Sequence, residues 1–242
     1  MLRWALAMSI LLLSAISAAA DVTITVVSSP TQTCLSRMYS DILVPGNWGT
    51  ATDTTAATKF AQSDMGTLGL TLFFEARPAD NSNYNSYQVM EAIGYAAINR
   101  TSTTGFLPRG YTTFKAVTKN MSSVWVSKTD GSGDLQSAQK AALPTILNEA
   151  PDSQDCNGFI WALQLGESIS IQPGGGTDLG HWVSVLEVQN PASGDLWFNS
   201  TGKSPSSKAY FIVSLLAPRY PSSFYNWYFY GQSGVVHGSY WY

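Results

Sequence analysis

Between Ser63 and Pro78 the chain specifies a helix with both ends marked, and this segment constrains the fold more than any other. Ser63 or Asp64 can cap its start, and Met65, Leu68, Leu72 and Phe73 recur at helical spacing. Pro78 ends it, because proline disfavours helix at the residue before it. Glu75 and Arg77 therefore fall in its last turn. A polar loop, Asp80 to Ser86, leads to a second helix from about Tyr87 to Arg100, with Val89, Ile93, Ala96 and Ala97 on one face. Ala92, Gly94, Ala96 and Ala97 are small enough to let another helix approach closely.

The remaining elements are read from the same periodicities. Val22 to Val27 alternates Thr with apolar residues and reads as a short strand, and 45–58, with Pro45, Gly46 and Gly49, reads as a loop or linker. Leu135 to Ala150 reads as a third helix, capped by Asp134 and kinked or split by Pro144. After Pro151 the character changes. Trp182 to Val188, Leu196 to Asn199, Ala209 to Leu216 and Phe224 to Tyr230 are rich in aromatic and β-branched residues, as strands are. The Pro173 to Gly176 stretch is a flexible loop. It lacks the Gly-Lys-Ser/Thr of a phosphate loop.

The N-terminus has the form of a targeting signal: Arg3, an apolar run from Trp4 to Ile16, then Ala18-Ala19-Ala20, with cleavage expected near Asp21. The apolar run is short of the roughly 20 residues that span a bilayer, so cleavage is expected over an uncleaved anchor. The mature chain is expected outside the cytoplasm, in the periplasm, envelope or medium, with no stable membrane insertion. The formal charge of the whole chain is -3, and no basic block supports nucleic-acid binding. Cys34 and Cys156 are the two cysteines. In an exported chain they are expected to pair, the other reading being two buried thiols. Neither cysteine has metal-ligand spacing to the two histidines, His181 and His237, so no metal site is expected. The expected activity needs no cofactor.

Glu75 is the sharpest chemical feature. A carboxylate in the last turn of a helix meets the negative end of the macrodipole, and Phe73 and Phe74 beside it reduce its solvation. Both effects favour the neutral acid, the form that protonates a glycosidic oxygen. The bland alternatives are a solvated surface Glu, or one paired with Arg77.

The runs Phe73-Phe74-Glu75-Ala76-Arg77 and Ala92-Ile93-Gly94-Tyr95-Ala96-Ala97-Ile98-Asn99-Arg100 resemble those of cell-wall hydrolases of the spore-cortex-lytic type. So do the Phe106-Leu107-Pro108 turn, the segment from Phe114 to Val117, and Asn190 to Asn199. Phe74 stands where that family has Gly. The resemblance implies a lysozyme-like domain that cuts peptidoglycan between N-acetylmuramic acid and N-acetylglucosamine, with Glu75 as catalytic acid.

The expected fold is α+β, a lysozyme-like helical core with a β-rich C-terminal portion. Residues 1–20 form the signal, 21–59 an N-terminal strand and linker, and 60–242 the hydrolase domain. A hydrolase needs a second carboxylate, and Asp64, Asp80 and Glu91 are the candidates, none in a convincing motif. A lytic transglycosylase needs only one Glu, which makes that route the expectation. Asn99 and Arg100 either contact sugar or cap the helix. Tyr95 faces either cleft or core. Trp125, Trp197 and Phe198 either stack on sugar or fill the core. The expected partner is the peptidoglycan glycan strand. The alternative is a non-catalytic envelope protein that binds wall glycan or a protein partner through a degenerate hydrolase fold.

Overall fold

A computed structural model describes residues 22–24, 32–50, 53, 55–76, 89–91, 93–94, 97, 113–126, 128–170, 197–199, 209–219 and 223–232. Residues 1–20, expected to form the signal, residues 77–88 with Arg77 and Asp80, and residues 171–196 lie outside these, as do Tyr95, Asn99 and Arg100.

Helix α1 (Cys34–Met38) is started by a reciprocal cap between Thr33 and Ser36 and continues as a π-helical turn, Tyr39–Leu43. Helix α2 (Ala56–Ala61) falls partly where a loop was expected, and helix α3 (Asp64–Glu75) follows it directly. Val22 to Ile24, expected to begin a strand, lies along α2 instead. Thr58 Oγ1 accepts from Ile24 N–H and donates to Ile24 C=O, and Gln62 Nε2 donates to Val22 C=O. Side chains thus supply the hydrogen bonds that a neighbouring strand would have given. Residues 89–91, 93–94 and 97 are helical, with Val89, Ile93 and Ala97 fully buried. Helix α4 (Phe114–Met121) is capped by Thr113, helix α5 (Ser137–Asn148) contains Pro144, and helix α6 is Gln154–Ser170.

α3 has both ends where expected. Ser63 caps it, accepting from Gly66 N–H at 3.1 Å, and Ala76 closes it. Every residue from Gly66 to Glu75 is buried, so this helix is covered on all sides. Its chief partner is α6, and two glycines set their approach. A Cβ on Gly166 would lie 2.5 Å from Gly69 N, and one on Gly69 would lie 2.8 Å from Leu163 Cα. Those neighbours are backbone and cannot swing away. Phe73 packs edge-on against Phe74 and against Phe159 of α6, at 5.2 and 5.3 Å between centroids. Gly94 lets the second helical stretch close on α6 too, since a Cβ there would meet Ile169 Cδ1 at 2.4 Å. This is the close approach that the small residues implied.

Cys34 and Cys156 are bonded, with 5.4 Å between Cα atoms, and join α1 to α6 across 122 residues of sequence. Cys34 N–H also donates to Glu149 C=O, and Arg37 reaches Pro151 C=O and the Asn157 side chain. The N-terminal helices are thereby held to the start of α6.

The expected α+β class is corrected. The packed body is 65% helix and 2% strand, and it contains no sheet. Its strand pairing is a single bridge, Trp125 to Leu135. The backbones of β1 (Trp197–Asn199), β2 (Ala209–Arg219) and β3 (Ser223–Gln232) form an antiparallel ladder in the order β1-β3-β2, with its register broken between Phe211 and Val213. Among the described elements no strand packs extensively on a helix, so a β-rich portion covering the helical core is not shown. Alternating aromatic residues favour extended backbone but do not dictate what a hairpin packs against. α6 closes the core instead. The third helix is also shorter than expected. Leu135 is taken by the bridge, Asp134 accepts from Leu135 N–H, and Gln136 becomes the cap.

Two stability predictions follow from this packing. Gly166→Ala should lower unfolding free energy by about 1–3 kcal/mol in urea melts, since the added methyl forces the helices apart. Reducing the Cys34–Cys156 bond, or replacing both residues by Ser, should cost about 2–5 kcal/mol in the same assay.

Candidate active site

One face of α3 is polar. Thr67, Thr71 and Glu75 follow one another at four-residue intervals and are at most 1% exposed. Helix periodicity puts them in a row, and this row meets α4 and the chain after it. Thr71 Oγ1 donates to Thr67 C=O at 2.8 Å and accepts from Trp125 Nε1–H at 2.8 Å. Lys119, fully buried in α4, lies over the Trp125 ring with its Nζ 4.5 Å from the centroid, and donates to Gly133 C=O. Ser122, next to the end of α4, donates to Glu75 Oε1 at 2.6 Å. Its Oγ accepts from Val124 N–H at 3.1 Å.

Glu75 thus ends a buried helix, at the negative end of the peptide dipoles. Removal from water disfavours its ionised form, while the Ser122 hydroxyl favours that form. The side chain is 1% exposed, so the carboxyl is covered in this state of the protein.

The other expected site residues divide sharply. Trp125 is 2% exposed and fixed by Thr71, which places it in the core and not on a sugar-facing surface. Trp197 and Phe198 belong to β1, paired with Tyr230 and Phe229 of β3. Tyr95, Asn99 and Arg100 lie outside the described residues. Of the candidate second carboxylates, Asp64 opens α3 and Glu75 closes it. Eleven helical steps separate their backbones by about 16 Å along the axis. Glu91 is buried in the second helical stretch, at 6% exposure. Sequence reading missed Thr67, Thr71, Lys119 and Ser122. The first two were legible as a polar stripe at i, i+4 and i+8 along an otherwise apolar helix.

Among the described residues, no group of three or more His, Cys, Asp or Glu converges as a metal site would require. None of the described helices is long and apolar enough to cross a membrane. A cavity of about 420 Å³ opens between the N-terminal segment, α1 and α5, lined by Val22, Ile24, Leu35, Leu143 and Leu147 with the Asp134–Lys140 ion pair. Glu75 does not line it.

Compared with protein-family models, curated proteins and solved structures, the chain finds no match in any of the three.

Trp125→Phe keeps most of the ring but loses its N–H and weakens the contact with Lys119. Urea denaturation should show a loss of about 1–3 kcal/mol.

Proposed function

We propose that this chain is an exported peptidoglycan glycosidase of the spore-cortex-lytic type, acting as a lytic transglycosylase with Glu75 as its single catalytic acid. One observation carries the reading: Glu75 is a buried carboxyl at a helix C-terminus that accepts the Ser122 hydroxyl at Oε1. Such surroundings suit an acid that must be neutral when it meets its substrate. The Glu-Ala-Arg and Asn-Arg runs give the substrate class. The separation of Asp64 from Glu75 supports the one-carboxylate route. Paired glycosidase carboxyls stand roughly 5–9.5 Å apart, and these two are at opposite ends of α3.

In this mechanism Glu75 donates its proton to the oxygen between N-acetylmuramic acid and N-acetylglucosamine as the C1–O bond breaks. The C6 hydroxyl of the muramic acid then attacks C1 of the same ring. Its proton passes to the Glu75 carboxylate, which restores the acid, and no water is consumed. The reading requires an open form of the protein in which glycan reaches the carboxyl.

The 1% exposure of Glu75 also favours a second reading, a non-catalytic envelope protein that binds wall glycan or a partner. In that case the Glu75–Ser122 pair only joins α3 to the chain after α4.

Digestion of purified sacculi separates the two. The wild-type protein should release 1,6-anhydromuropeptides detectable by mass spectrometry. Glu75→Gln should lose about a hundredfold to ten-thousandfold in rate while still pelleting with walls. Release of reducing-end muropeptides alone would establish hydrolysis in place of transglycosylation. A folded wild-type protein that pellets with sacculi of every type and cleaves none would establish the binder.

A further inference from the structure

We infer that Ser122 is the positioning residue of Glu75: its hydroxyl fixes the carboxyl's orientation and holds Oε1 as the accepting oxygen, so that the transferable proton belongs to Oε2. This rests on the reading of Glu75 as the acid.

The geometry of Ser122 sets its direction. Val124 N–H, two residues on, points at Ser122 Oγ at 3.1 Å and occupies part of its accepting side. The one hydroxyl proton is then directed along the 2.6 Å vector to Glu75 Oε1. Ser122 is itself 5% exposed, so water competes little for that proton. The backbone turn after α4 thus orients the hydroxyl, and the hydroxyl orients the acid. When Glu75 is neutral, Oε1 serves as its carbonyl oxygen. When Glu75 is ionised, the same bond becomes charge-assisted and strengthens.

The neighbouring row keeps this donor in place. Trp125 follows Val124 and is tied to α3 through Thr71, one turn before Glu75. Val124 C=O accepts from Gln136 N–H at 2.8 Å, and Val126 N–H donates to Asp134 C=O at 2.8 Å. The segment after α4 is therefore clamped on both sides of Trp125. Of the ionisable groups, Lys119 belongs to this seam through the Trp125 ring, and Glu91 is the buried acid of the adjoining helical stretch. Both are unchanged in the variants compared below, so neither accounts for a difference between them.

The test uses the full mature protein labelled with ¹³C at the Glu carboxyl, with the Glu75 resonance assigned by its absence in Glu75→Gln. A hydrogen bond to the charged form lowers a carboxyl's titration midpoint, so removing it raises the midpoint. In Ser122→Ala the Glu75 midpoint should rise by about one pH unit. Ser122→Thr, which keeps a hydroxyl, should titrate as wild type. In wall lysis, the alkaline limb of the Ser122→Ala profile should move upward with that midpoint. The rate at the optimum should fall about tenfold through lost alignment. Ser122→Thr should retain both. Unchanged Glu75 titration in a folded Ser122→Ala protein overturns the inference whatever the activity. A raised midpoint in both variants does so too, since a hydroxyl would then not be the cause. A wild-type protein inert on walls overturns the glycosidase reading, and the titration still decides whether Ser122 governs the Glu75 proton.

Discussion

The structure depends on the close contact between α3 and α6. At Gly69 and Gly166 the two backbones meet with no side chain between them. This proximity lets Phe73 pack edge-on against Phe159, and it leaves α3 buried from Gly66 to Glu75. A helix in that position has to satisfy any polar group it carries from within the protein. Thr71 and Glu75 on α3 take such partners from the chain just after α4, Trp125 and Ser122. The glycines far from Glu75 thus determine what Glu75 can touch.

The same constraint explains the polar row. Trp125 meets Thr71 with its N–H and Lys119 with its ring face, so one indole satisfies a buried hydroxyl and lies under a buried cation. Lys119 finds its own acceptor in Gly133. Gly131, at φ +76°, makes the turn that carries the chain back toward α4, where L side chains rarely fit. A loop glycine, a buried lysine and a core tryptophan are thereby linked to the wall of the site.

The helix bearing Glu75 was legible because its cap, its apolar spacing and its terminating proline all agree. Gly94 was legible as a contact glycine, and the cysteine pair as a bond between distant segments. α6 was not. Its apolar residues Phe159, Ile160 and Leu163 have helical spacing, and Ser153 accepts from Cys156 N–H as a cap would, yet no separate helix is read there, and the strand-like segments from Trp182 onward point to a β-rich portion packed on the core. Ser122 was invisible for a different reason. Its role arises 47 residues from Glu75, through a contact that no local pattern encodes. Trp125 is the converse case: of the two places open to it, sugar face or core, it takes the core, held by a threonine that the same sequence displays.

If Glu75 acts as proposed, the glycosidic oxygen of the scissile C1–O bond meets its side chain. The most direct measurement is a crystal structure of the Glu75→Gln protein soaked with a peptidoglycan tetrasaccharide. The account predicts a glycosidic oxygen within about 3 Å of the position 75 side chain, in a form whose covering has opened. A saccharide bound elsewhere, with position 75 still sealed against Ser122, would contradict it.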